Sequence, residues 1–147
     1  MRNILILITL FLTTLSAHEY KTVFDCNSND MSYIASRMFL VERTMDMIES
    51  NGDSVNFAIT LHGSCAKIVS KDYDMLVKDD EIQSAKLAQA QLIKLDKKGV
   101  KIVVCAMSLN ANAIDESSVI SAAKISPNSF LETIKYQNDG YALMVFE

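Results

Sequence analysis

Two spacings of apolar residues alternate along this chain. Ile34, Met38, Val41, Met45 and Ile48 recur at steps of four, three, four and three, one apolar face of a helix of about five turns. Asp30 stands before the run as a cap, and Gly52 follows it as a stop. Ser54 to Leu61 alternates instead, with Val55, Phe57, Ile59 and Leu61 on one side, and reads as a strand. Thr22 to Phe24, running into Asp25-Cys26, reads as an earlier strand. Glu81 to Lys98 returns to helical spacing through Ala85, Ala88, Leu92 and Leu95, and Gly99 ends it. Val100, Ile102, Val103 and Val104 then form a β-branched run of the kind buried on both faces of a parallel sheet, ending at Cys105.

The remaining segments are less regular. Ala66 to Val69 fits a helical turn, and Lys71 to Asp80 a charged surface loop. Asp115 to Ala123 is expected to form a third helix. Ser126-Pro127 is expected to start another, a cap followed by proline at the first helical position, running to about Gln137. Asn138-Asp139-Gly140 then turns the chain into a last apolar strand, Tyr141 to Phe146. Strands alternating with helices imply parallel pairing within one α/β domain. Half of the residues are hydrophobic, enough for a sizeable core.

Charge and leader narrow the setting. A net charge of −4, no basic run and no tryptophan argue against a nucleic-acid partner. Arg2 followed by the apolar stretch Ile4 to Leu15 and the small residue Ala17 reads as a secretory signal over residues 1–17, leaving residues 18–147 as the mature domain. The apolar stretch is about 12 residues, short of the ~20 that span a bilayer, so no membrane attachment is expected after cleavage. The expected location is periplasmic or secreted, where thiols meet oxidants.

Chemistry gathers at the strand ends. Cys26, Cys65 and Cys105 each stand where a strand leaves the core, and in a parallel sheet those ends share one edge, with His62 and Gly63 between them. Cys105 and Cys26 stand just before expected helix starts, whose partial positive charge favours the thiolate. Three readings stay open: buried packing, a disulfide (most plausibly Cys26 with Cys65), or part of a metal site built on His62-x-x-Cys65, for which no second ligand pair exists. An odd count leaves Cys105 as the free thiol. Gly63 is either a plain turn or a close backbone approach to a ligand. Asp25, at a strand end, is placed to act as an acid or base, but a hydrogen bond to the loop of Asn27 to Asp30 is the expected role. No Cys-x-x-Cys and no glycine-rich phosphate loop is present, and no metal or cofactor is expected.

Four stretches together resemble the DsrE/DsrF-like family of sulfur-relay proteins, in a secreted branch. They are Phe24-Asp25-Cys26, Leu61-His62-Gly63, the run Gly99 to Cys105, and the tail Gln137-Asn138-Asp139-Gly140-Tyr141-Ala142. The resemblance covers nearly all of residues 18–147. It implies a three-layer α/β/α domain with a mostly parallel sheet of about five strands, and homo-oligomers, trimers or hexamers. It also implies that Cys105 carries sulfur as a persulfide. Asn110-Ala111-Asn112-Ala113 stands where the relay members often show Arg-Gly. The expected function is a persulfide sulfur carrier or sulfurtransferase, with sulfur donor and acceptor proteins or small sulfur compounds as partners. Cys26 or Cys65 would resolve the persulfide or form a disulfide, and His62 and Gly63 would meet the ligand. The alternative is a non-catalytic oligomeric module of the same fold that binds a small ligand or metal.

Overall fold

The computed structural model describes residues 17–146, so the expected signal segment lies almost wholly outside the described residues. Five strands form one all-parallel sheet in the order β4-β3-β2-β1-β5: β1 Glu19–Cys26, β2 Ser54–Leu61, β3 Lys101–Cys105, β4 Lys124–Ser126 and β5 Ala142–Phe146. Helices α1 Met31–Ser50 and α2 Ile82–Lys97 follow β1 and β2. The short α3, Ala106–Ala111, follows β3, and α4, Ser129–Asn138, joins β4 to β5. No helix among the described residues is long and apolar enough to cross a membrane.

Strand order decides which face each helix covers. From β1 the chain steps to β2, β3 and β4 in one direction, then returns past all of them to place β5 beyond β1. Right-handed crossovers put helices on one face while the chain advances, and on the other when it reverses. So α1 and α2 lie together on one face, over Phe24, Ile59, Leu61 and Val104. The ten-residue α4 lies on the other, near Val23, Ala58 and Tyr141.

Local chemistry fixes the element ends. Asp30 caps α1, its Oδ1 accepting from the amides of Ser32 and Tyr33 at 2.9 and 3.0 Å. The third helix expected over Asp115 to Ala123 is absent: one turn of 3-10 helix forms at Glu116–Ser118 under an Asp115 cap. Beyond it the chain pairs with the segment after β2, Ser70 bridging Val119 and the Ile120 amide donating to the Val69 carbonyl at 2.9 Å. That backbone pairing outweighs the weak helical signal. The chain then enters β4, a strand not resolved by the apolar pattern, because Lys124 and Ser126 flank a single Ile125. Ser126 therefore ends a strand, and α4 starts two residues beyond Pro127 with Asn128 as its cap, accepting from the Phe130 amide at 2.8 Å. Within Lys71 to Asp80, expected as loop, 3-10 turns occupy Tyr73–Met75 and start at Asp79.

One polar clamp joins the two helices of the first face. The Glu42 carboxylate, buried on α1, accepts from Gln91 of α2 at 2.5 Å and pairs with Lys94 and Lys98 at 2.9 and 3.0 Å. The Gln91 hydrogen bond first, then the lysines, hold its pKa down to about 2, against the cost of burial. A carboxyl depressed in the fold stabilises above its unfolded pKa and loses that effect as pH falls through the folded value. The stability of the wild type is therefore expected to decline between about pH 4.5 and about pH 2. Glu42→Ala, which leaves the buried Gln91 amide without its partner, is expected to cost about 1–3 kcal/mol in urea unfolding at neutral pH. A cost near zero there would remove the clamp from the account of stability.

Candidate functional site

Pleat parity gathers a polar row at the carboxyl edge. Asp25 pairs in register with Thr60, and Cys105 with Ser126. All four alternate with core residues of the α1/α2 side, so they face α4. The Thr60 hydroxyl donates to Asp25 Oδ1 at 2.6 Å and lies 3.4 Å from Thr133 Oγ1 on α4. His62 follows β2, and its Nε2 donates to Asp25 Oδ2 at 3.0 Å. Asp25 thus binds His62 and Thr60 rather than the loop of Asn27 to Asp30.

Cys105 is the free thiol and is only 4% exposed. It is the residue before α3, but its donors come from two places: Ser129 in the first turn of α4, and Ser108 within α3. Burial pushes the thiol pKa up. The amides and hydroxyls of Ser129 and Ser108 outweigh that and hold it below the usual thiol value. His62 is raised, first by its hydrogen bond to Asp25, against desolvation, then by the charges of Asp25 and Cys105. Asp25 is opposed by desolvation but lowered overall by His62 and Thr60. The site therefore sets a thiol lowered in pKa beside a histidine raised by its Asp25 partner, and Phe130 covers His62 edge-on, ring centroids 6.1 Å apart.

Gly63 organises this edge. Its φ of +53° is left-handed, and a Cβ there would run into the Asn27 side chain. Its amide donates to Ser108 Oγ at 3.0 Å, and its carbonyl accepts from Asn112 Nδ2 at 3.0 Å. The glycine amide is thus spent on holding the serine that faces Cys105, and Gly63 touches the site through Ser108.

The other two cysteines lie elsewhere. Cys26 and Cys65 form a disulfide with Cα atoms 5.9 Å apart. Cys26 shares the α1/α2 side with Leu61 and Val104, so the disulfide and Cys105 occupy opposite faces of the sheet. The three sulfurs share an edge and do not converge. Cys65 is bonded and so not free to complete a metal set with His62. Nor does Cys26 precede a helix directly, since α1 begins at Met31. Four contributors were not singled out by sequence: Thr60, Ser108, Ser126 and Ser129. A threonine in the apolar run of β2, in step with Asp25 and out of step with Leu61, is a signal that could have marked Thr60.

The ion pair has a pH signature. A histidine raised in the fold stabilises fully below its ordinary value of 6.5 and loses this as pH climbs through the folded value. Asp25, lowered, contributes above 3.8 and loses this as pH falls through its folded value. The penalty of Asp25→Asn in urea unfolding is therefore expected to be larger at about pH 5.5 than at about pH 8.5. In the same variant the His62 ring resonance is expected to titrate at lower pH than in the wild type. An unchanged titration would mean that Asp25 does not charge His62.

A protein of unknown function from Methanobacterium thermoautotrophicum has a solved structure similar in fold, with a TM-score of 0.67 at 17% identity, over 86% of this chain and 98% of that one. An uncharacterized protein of Aquifex aeolicus (strain VF5) is 32% identical over 133 residues, 90% of this chain. The chain spans 58% of the length of that relative. A sequence model of the DsrE/DsrF-like family matches residues 21–146, from the third residue of β1 to the last of β5, the whole sheet and both faces. With that match added to the five parallel strands and the thiol at the end of β3, the chain belongs to the DsrE/DsrF-like family.

Proposed function

We propose that this protein is a cysteine persulfide carrier in sulfur metabolism, with Cys105 as the sulfur-bearing residue. The observation that carries the reading is the setting of Cys105: a free thiol held below its usual pKa by Ser129 and Ser108, on the sheet face that also presents the His62–Asp25 pair. Membership of a family associated with sulfur relay supports it. The Cys105 thiolate attacks the outer sulfur of a persulfide or thiosulfate donor. A Cys105–sulfur bond forms, the donor's sulfur–sulfur bond breaks, and the donor's thiolate or sulfite leaves with the electron pair. His62, protonated beside Asp25, gives its proton to the leaving thiolate. An acceptor thiolate then takes the outer sulfur and Cys105 leaves as thiolate, with no net oxidation.

The location and assembly belong to the same proposal. The leader-like residues 1–17 and the Cys26–Cys65 disulfide both support action outside the cytoplasm, in the periplasm or secreted. Phe130, Leu131 and Ile134 on α4, with Leu143 and Val145 on the same side of the sheet, leave an exposed apolar area that supports a homo-oligomer. The partners are sulfur donors and acceptors, proteins or small sulfur compounds. Burial of Cys105 favours the other reading, a binding module whose thiol only packs; for transfer, the first turn of α4 has to move aside.

The deciding measurement is intact mass after exposure to thiosulfate or polysulfide, under non-reducing conditions. A gain of about 32 Da per bound sulfur on the Cys105 peptide, reversed by a thiol reductant, is the expected result. Cys105→Ser is expected to abolish it with the fold intact. The double variant Cys26→Ser/Cys65→Ser is expected to load sulfur still, because the disulfide lies across the sheet, while losing about 3–4 kcal/mol of stability through the opened loop. No gain on Cys105 in the folded protein would leave the binding module.

A further inference from the structure

A second cleft lies across the sheet from Cys105 and takes no part in the proposed sulfur chemistry. It opens between α1 and the edge strand β5, with a volume of about 340 Å³. Phe24, Val41 and Phe146 form its floor, and Leu40 and Met144, about half exposed, form its rim. Such a volume and an apolar lining with few polar groups are the usual makings of a small-molecule site.

The polar group here is Arg37. Among the described residues it forms no ion pair, and its Nε is buried without a hydrogen-bond partner. The Tyr33 ring lies under the guanidinium, 4.4 Å from ring centroid to Cζ. Stacking of this kind uses the flat face of the guanidinium and leaves its in-plane N–H groups free. Those N–H groups match a planar carboxylate in two parallel hydrogen bonds. Arg37 lines the cleft without an ion-pair partner among the described residues, so a carboxylate admitted there meets an unpaired cation.

We propose that this cleft binds a small organic anion, a carboxylate on a compact apolar body. Arg37 holds the carboxylate, and Phe24, Val41 and Met144 bury the body. The neighbouring apolar residues alone would equally suit a second copy of the chain. The unpaired cation selects an anionic occupant instead, because an apolar partner would leave the guanidinium buried and unmatched.

The test uses octanoate, with octanol as the uncharged body of the same length, titrated into protein carrying labelled methionine, leucine and valine methyl groups. Octanoate is expected to shift the Leu40, Val41 and Met144 methyl signals saturably, with an affinity at least about ten-fold above that of octanol. Arg37→Gln is expected to remove that difference while leaving octanol binding unchanged. Equal binding of octanoate and octanol to the wild type would overturn the proposal, since the cleft would then read only apolar surface. So would no shift at millimolar octanoate. Cleft signals that change on simple dilution, without octanoate, would assign the surface to a second copy and overturn it as well. None of these outcomes depends on whether Cys105 carries sulfur.

Discussion

A buried thiol has its pKa lowered only while donors offset its desolvation, and here those donors come from separate segments. Ser108 is held by the amide of Gly63, and Ser129 stands in the first turn of α4, where the Asn128 cap accepts from the Phe130 amide. The left-handed turn at Gly63, with Asn112 closing on its carbonyl, ties the end of β2 to α3. Without that tie the Ser108 hydroxyl has no fixed direction, and one of the groups that offset desolvation at Cys105 is lost. The small backbone feature at Gly63 thus governs the electrostatics of a residue more than forty positions away, and its own side-chain space is closed by Asn27.

Strand order supplies the setting for those donors. Because the chain reverses only after β4, the first face receives two long helices and the second receives only α4. The first face consequently carries the main apolar core, clamped by Glu42 and Gln91. The second keeps polar residues at its carboxyl edge: Asp25, Thr60, Cys105 and Ser126. A thin cover is what lets a sheet carry buried polar groups that pair with one another, and it is also what leaves Phe130, Leu131 and Ile134 exposed. Site and unpartnered apolar surface are two results of one topology.

Periodicity made the large elements legible. The four-three spacing from Ile34 to Ile48 and the run Val100 to Val104 are signals that any burial enforces, and α1, α2 and the first three strands lie where they point. The segment from Asp115 to Ser126 was not legible, because its fate rests on pairing with distant partners: Val69 and Ser70 for one half, β3 for the other. Tertiary hydrogen bonds there override a weak local preference. The site was half legible for a related reason. Strand ends marked Cys105 and His62, but the face each residue takes needs the register. Asp25 and Thr60 declare themselves only once their pleat is known to match that of Cys105.

The same parity separates two kinds of sulfur chemistry. Cys26 and Cys105 end strands that are two apart in the sheet, yet the first points to the α1/α2 side and the second to α4. A one-residue slip in β3 would turn Cys105 toward the disulfide and bring Val104 to the α4 side. A thiolate beside a disulfide exchanges with it. Held on the opposite face, Cys105 is shielded by the width of the sheet from the one oxidised pair the chain contains. The staple can then stay closed while the thiol remains available. On the proposed reading, a carrier that works among oxidants needs that division, and here it rests on the register of one five-residue strand.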